Sequence, residues 1–455
     1  MDEAAKDKAT TNEGWHSSPS APSLPENHRT VAVPKGLGFW RKLFAFSGPG
    51  FLVAVGYMDP GNWATDIEGG SRFGYTLLCV IFISNLMAIL LQSLCLKLGI
   101  VTGRDLAQAC RDHYSKPVSI FLWVTCEIAI CACDLAEVIG SAIALQLLFN
   151  IPLVYGVCIT GLDVLIVMYL SHLGFRYLEA LVVVLILTIG GCFLAEIIFS
   201  KPDLGAVFIG FLPHPGILRN AEMLYVGIGI LGATVMPHNL YLHSSIVQTR
   251  KYEQNAEGKA EAIKFATIDS TLALMLALFI NAAILIVAAA VFHAAGKTVK
   301  GIEDAYQLLT PMLGGTAASI IFALALLASG QNSTLTGTLA GQIVMEGFMN
   351  IRLRPWLRRL ITRLLAIVPA VVIAVLYGNQ GVDKLIVFSQ VVLSIQLSFA
   401  VFPLVRFTSD KKKMGEFVNP LWLTVLAYLT AIIIFALNVK LVADQVGGWI
   451  YGNAN

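Results

Sequence analysis

Charged side chains are scarce in this chain of 455 residues, where Asp, Glu, Lys and Arg make up only 13%. Soluble domains carry about 25%. Half that share, beside 56% hydrophobic residues, excludes an ordinary water-soluble fold. Other absences narrow the function. Neither His-Glu-x-x-His nor Gly-x-Ser-x-Gly occurs, which removes familiar signatures of a membrane-embedded protease or hydrolase. Nothing resembles a repeated selectivity filter, which speaks against a channel. The net charge of +2 is uninformative, and no nucleic-acid partner is expected. Eight cysteines, at 79, 95, 110, 126, 131, 133, 158 and 192, lie in or near apolar segments. They read as small buried residues without a disulfide framework.

What is present is length of apolar sequence. Stretches of about 20 apolar residues number eleven. They fall near 45–70, 75–98, 117–147, 152–171, 178–199, 222–247, 268–293, 317–347, 358–377, 384–407 and 420–442. An all-α polytopic membrane protein follows. Residues 1–40, rich in Ser, Pro and charge near their start, have no signal-peptide core and are expected to form a disordered cytosolic tail. With the N-terminus inside, 24 of the 31 Lys and Arg fall on the cytosolic side and 7 outside. That is a strong positive-inside bias, and an odd number of spans puts the C-terminus outside. Lack of a targeting sequence points to a cell membrane, the bacterial inner membrane.

Two of the spans are interrupted. The first contains Gly56-Tyr57-Met58-Asp59-Pro60-Gly61-Asn62 and the sixth Gly232-Ala233-Thr234-Val235-Met236-Pro237-His238. Irregular backbone survives at membrane depth only where it lines a cavity or is buried in protein. A carboxylate there costs about 3 kcal/mol on insertion scales and marks function by default. Two broken spans in corresponding positions point to a transporter's substrate site. Because five spans separate the starts, the halves 41–199 and 200–407 would be inverted in topology, with 408–455 holding the last span.

The breaks offer a ligand set. Asp59 supplies a carboxylate and Asn62 an amide oxygen. Pro237 cannot donate to the carbonyl of Ala233, which is thereby available, and Met236 brings a thioether. Oxygen ligands suit hard divalent ions, and a thioether adds preference for softer ones. The combination favours Mn²⁺ or Fe²⁺, with Cd²⁺ among toxic ions, over Mg²⁺ and Ca²⁺. Spacing alone leaves open that Met236 merely packs beside a proline kink.

Asp59-Pro60-Gly61-Asn62 and Met236-Pro237-His238-Asn239 resemble the two signature motifs of the Nramp family of proton-coupled divalent metal transporters. Asp134-Leu135-Ala136-Glu137, Ala328-Ser329-Gly330-Gln331, Gly337 to Gln342 and Trp356 to Thr362 extend the likeness along the membrane region. The resemblance implies a leucine-transporter-type fold with a 5+5 inverted repeat, alternating access, and import of Mn²⁺ or Fe²⁺, and of Cd²⁺ and Co²⁺, coupled to protons. It implies metal contacts from Asp59, Asn62, Ala233 and Met236, and from Gln390 in one state of the cycle. No cofactor is expected, and the working unit is taken as a monomer in the lipid bilayer.

Coupling requires titratable groups. Glu127, Asp134 and Glu137 fall within an arc of about 80° on one helix face. They serve either as a proton route or as buried ion pairs with Arg358, Arg359 or Arg363. His238 and His243, in the same span as Met236, can titrate near neutrality, although a lone His is more often a satisfied buried group. The resemblance favours a route from Asp59 and His238 through Asp134 and Glu137 toward Arg358 and Arg359. The rival reading is a sodium-coupled organic-solute symporter of the same fold, which would need a roomy, hydroxyl-lined pocket instead.

Overall fold

The computed structural model describes residues 14–16, 21–33, 36, 38–162, 174–299, 301–313 and 316–450. Helices dominate. A short helix α1 (Phe39–Phe46) leads into α2 (Pro49–Gly56) and α3 (Pro60–Phe73), the two halves of the first broken span. They are followed by α4 (Leu78–Thr102), α5 (Leu106–His113), α6 (Lys116–Phe149), α7 (Leu153–Thr160) and α8 (Phe175–Ser200). The second half of the chain opens with α9 (Leu204–Gly210) and the broken pair α10 (Ala221–Thr234) and α11 (Pro237–Ile246). It continues with α12 (Ala256–Ala288), α13 (Ile302–Leu313), α14 (Thr316–Met349), α15 (Pro355–Thr408) and α16 (Leu421–Ile450).

Among the described residues, 8 segments are long and apolar enough to cross a membrane. Against the eleven expected spans, the first is divided between α2 and α3, and the fourth runs into 163–173, outside the described residues. The ninth is the apolar stretch Leu360–Leu376. It belongs to α15, whose direction changes at Gly378, where φ is 64°.

Proline sets both breaks. Pro60 and Pro237 stand at the first position of α3 and α11, where a missing N–H costs nothing. The residues before them, Asp59 and Met236, are extended N-caps, with ψ of 167° and 124° respectively. The backbone groups freed at the first break are taken up by side chains of neighbouring helices. Asn281 of α12 donates to the Tyr57 carbonyl at 2.8 Å, and Ser329 of α14 donates to that of Met58. Such capture is what buried backbone demands.

The expectation of a disordered tail over 1–40 is corrected for residues 21–33. Val31 and Ala32 pair in parallel with Arg250 and Lys251. Ser23 donates to Asp105 at 2.6 Å, and the Leu24 amide donates to Glu346 at 3.1 Å. Leu24 and Val31 are buried. Their apolar side chains and backbone groups find partners on helix ends, which polar composition alone did not reveal. All eight cysteines are free thiols.

Candidate metal site

The two breaks lie side by side in the interior, and all five of the residues expected to contact metal lie around them. Asp59 is fully buried, and its Oδ1 accepts from the Asn62 backbone amide at 2.8 Å, capping α3. The side chain of Asn62 lies between the breaks. Its terminal amide reaches Asp59 Oδ1 at 2.7 Å and the Ala233 carbonyl at 3.2 Å, while its other end meets Asn281 Nδ2 at 3.2 Å. With the NH₂ group turned inward, the amide cross-links the two oxygens. With its oxygen turned inward, three oxygens converge, a donor set made for a hard divalent cation.

Met236 and Gln390 line the same place. A Cβ added at Gly56 would lie 3.2 Å from the Met236 sulfur, and one at Gly61 would lie 2.0 Å from Gln390 Nε2. Glycine at these two positions lets the thioether and the amide press against the first broken span. Gln390 also belongs to the wall of the second break, because its carbonyl would be 2.2 Å from a Cβ at Gly232. Met236 packs with Ala129, Cys133 and Leu393. Two helix N-termini, those of α3 and α11, and two C-termini, those of α2 and α10, end at this level.

From Asp59 a line of polar groups leads along α6. Cys133 lies 3.8 Å from Asp59 Oδ2 and 3.6 Å from Glu137 Oε1. Glu137 and Asp134 then share Arg363, at 3.9 and 2.7 Å. The carboxylate face read from the sequence therefore does meet an arginine of the ninth span, and that arginine is Arg363. It is buried and also donates to Thr334. The side chains of Arg358 and Arg359 lie outside the described residues. Glu127, farther along α6, accepts from Trp123 at 3.0 Å.

The two histidines occupy different settings. His238 is buried next to Pro237, and its Nδ1 has no hydrogen-bond partner among the described residues. His243 pairs through Nδ1 with Gln92 at 2.9 Å, and Gln92 donates to the Tyr57 hydroxyl at 2.8 Å. That chain ties α11 to the first break through α4. Sequence reasoning passed over Gln92 and Asn281, and it named Tyr57 and Ser329 only within motifs and Cys133 only as a buried thiol. Gln92 and Asn281 carried a signal, being isolated amides within apolar runs.

Access to the crossing differs between its two ends. At the foot of α2, Asp269 accepts from the Gly50 amide at 2.8 Å, and Arg250 pairs with Glu179 at 2.6 Å. This end is packed shut. At the opposite end a cavity of about 650 Å³ is lined by Glu68, Arg72, Tyr225, Asp383 and Lys384, among others. Arg72 joins Glu68 at 2.6 Å and also pairs with Glu222, linking α3 to α10 at the cavity rim.

A family model described as natural resistance-associated macrophage protein-like matches residues 50–444. A divalent metal cation transporter MntH from a Nostoc species is 66% identical over 430 residues, 94% of this chain and 97% of the relative. The crystal structure of a manganese transporter from Eremococcus coleocola, in complex with an aromatic bis-isothiourea substituted compound, superposes with a TM-score of 0.88. It is 44% identical and covers 95% of this chain and 93% of its own. The fold extends further: Mhp1, a nucleobase-cation-symport-1 family transporter, is 15% identical with a TM-score of 0.61, covering 93% of both chains.

Proposed function

This chain belongs to the Nramp family, and on that premise we propose that it imports divalent transition metal ions, Mn²⁺ or Fe²⁺, coupled to protons across a cell membrane. It is a multi-pass transporter of the leucine-transporter-type fold and not an enzyme. The relatives named for divalent metal cations and manganese favour this cargo over an organic solute carried with sodium. One observation carries the site assignment: the Asn62 side-chain amide lies within 3.2 Å of both the Asp59 carboxylate and the Ala233 carbonyl, across two helix breaks.

The substrate ion reaches the crossing from the outside through the cavity lined by Glu68 and Asp383. It sheds most of its water for Asp59, Asn62, the Ala233 carbonyl and Met236. Gln390, lying against Gly61, joins as the helices move. The Met236 sulfur disfavours Ca²⁺ and Mg²⁺, whose coordination is built from oxygen. Protons pass from Asp59, with His238 beside the second break, by way of Cys133 to Glu137 and Asp134, where Arg363 balances their charge. His243 links the second break to Tyr57 through Gln92. Glu127, Arg358 and Arg359 extend this route toward the cytosol. The N-terminus faces the cytosol and the C-terminus the outside, in keeping with the 24-to-7 distribution of Lys and Arg. Residues 41–199 and 200–407 act as inverted repeats, 408–455 carry the last span, and one copy suffices for transport in the bacterial inner membrane.

The deciding experiment is uptake of Mn²⁺ into proteoliposomes as a function of external pH, with Ca²⁺, Mg²⁺ and amino acids as competitors. Uptake should rise with an inward proton gradient and resist all three competitors. Competition by an amino acid, with dependence on sodium, would reverse the assignment.

A further inference from the structure

The short helix α1 stands apart from the metal site, yet its surface is unusual. At about 100° per residue its eight residues divide into three sectors. Phe39, Leu43 and Phe46 form the first. Leu43 and Phe46 are buried with Leu96, Ile100, Val247 and Phe265, and the Phe39 and Phe46 rings lie 5.4 and 5.6 Å from that of Phe265. The second sector holds Trp40 and Phe44, which are 69% and 73% exposed. The third carries the exposed Arg41, while Lys42 pairs with Glu261. A helix with one face in the core, an adjacent bare aromatic face and a basic edge matches the composition of helices that lie in a membrane surface.

Depth supports the same reading. Phe265 sits on α12 where that helix changes character. Before it come Glu257, Lys259, Glu261 and Lys264; after it come Ile268, the exposed Leu272 and the exposed Met275. α1 therefore packs at the level where charged surface gives way to lipid-facing surface. Trp is enriched at this level because one end of the ring is apolar and the other donates a hydrogen bond.

The end of α1 is held firmly. Arg176 donates to the Ala45 and Ser47 carbonyls at 2.5 and 2.7 Å, and Arg250 donates to those of Phe46 and Ser47 at 3.2 and 2.5 Å. Two arginines thus take up the carbonyls that a helix C-terminus leaves unpaired. Gly48 follows with φ of 133°, and a Cβ there would lie 2.4 Å from Glu179 and 2.6 Å from Arg250. Only glycine serves as the joint between α1 and α2.

We propose that α1 is a membrane-surface anchor seated in the anionic cytosolic leaflet. Trp40 and Phe44 lie at the boundary of headgroups and acyl chains, and Arg41 lies among lipid phosphates. The anchor fixes the point from which α2 turns at Gly48. Its seat is independent of the transport reading; only its effect on uptake rests on that reading.

The test uses the full chain in nanodiscs holding one copy each, made of phosphatidylcholine with or without phosphatidylglycerol. The chain has 7 Trp, so the Trp40 signal is the difference between wild type and Trp40→Phe. Lipids brominated near the headgroup should quench that difference signal, aqueous iodide should not, and phosphatidylglycerol should strengthen the quenching in wild type but not in Arg41→Gln. Quenching by iodide in place of brominated lipid would overturn the proposal, and so would quenching by neither, which would mean a protein contact. A second readout is uptake, in which Trp40→Ala with Phe44→Ala should slow initial Mn²⁺ transport several-fold while leaving Mn²⁺ binding intact. Unaltered uptake beside intact quenching would remove the pivot while keeping the seat.

Discussion

Buried carboxylates stand at both ends of α2, and the company they keep differs. At its foot, Glu179 meets Arg250 at 2.6 Å and Asp269 meets the Gly50 amide at 2.8 Å. At its head, Asp59 meets an amide and, at 3.8 Å, the thiol of Cys133. A buried charge is tolerated when it is paired and hydrogen-bonded, and it shapes function when its partner must come from elsewhere. The foot is thus a seal completed by the chain's own cations. The head is arranged for a cation that arrives and leaves.

The largest effect is expected from taking the charge away at the head. Asp59→Ala should reduce Mn²⁺ uptake to that of protein-free liposomes and remove calorimetric Mn²⁺ binding; near-normal uptake would erase the distinction drawn here. Making the foot resemble the head is the converse change. Arg250→Ala removes the buried cation of Glu179, leaving it only the half-exposed Arg176, and frees the Phe46 carbonyl, at a cost of up to about 3–5 kcal/mol. A drop in thermal midpoint, partly restored by adding Glu179→Gln, is the expected result, and an unchanged midpoint would show that the seal lies elsewhere.

Smaller changes sharpen the head. Met236→Ala should keep part of the Mn²⁺ uptake and admit Ca²⁺ as a competitor. Met236→Leu, a volume-conserving swap costing under about 1.5 kcal/mol, should admit Ca²⁺ equally while preserving stability. If competition stays unchanged in both, the sulfur is not a selectivity element. Asn281→Leu removes the donor to the Tyr57 carbonyl, and an orphaned buried acceptor costs about 1–3 kcal/mol; chemical denaturation would register it.

Asp105 offers an intermediate case. It accepts from Ser23 and from the Gln108 amide at 2.6 and 2.8 Å, and burial pushes it up to about 6. The folded form holds this proton more tightly than an unfolded chain with a carboxyl near about 4. Stability from this group is therefore greatest at low pH and falls as pH rises from about 4 through about 6. Asp105→Asn should flatten that slope in a comparison of melting points at the two pH values. An identical slope would show that other groups set it.

Much of this arrangement was legible in the sequence, because lipid imposes simple rules. Apolar length marks spans, and a Pro beside a polar residue within a span marks a break. Asp59, Asn62 and Ala233 lie together across the two breaks, with Met236 and Gln390 on the same walls. Partner choice between helices was less legible. Asp134 and Glu137 of α6 meet Arg363 because rotational phase about α15 turns that arginine inward, and that phase is a property of packing. The link from Tyr57 through Gln92 to His243 needs three helices in register. The docking of residues 21–33 escaped notice for another reason: two buried apolar side chains, Leu24 and Val31, in a polar stretch are too few to stand out.

The meeting of four helix ends at the crossing has an electrostatic consequence. Each broken span contributes one end with partial positive charge and one with partial negative charge, each worth about half an elementary charge. The backbone fields largely offset one another, so side chains alone set the balance. A dication held by a single carboxylate then leaves one surplus positive charge in a low-dielectric interior. Displacement of a proton from the same neighbourhood would cancel that surplus, which gives metal loading and proton release a common driving force without any further moving part.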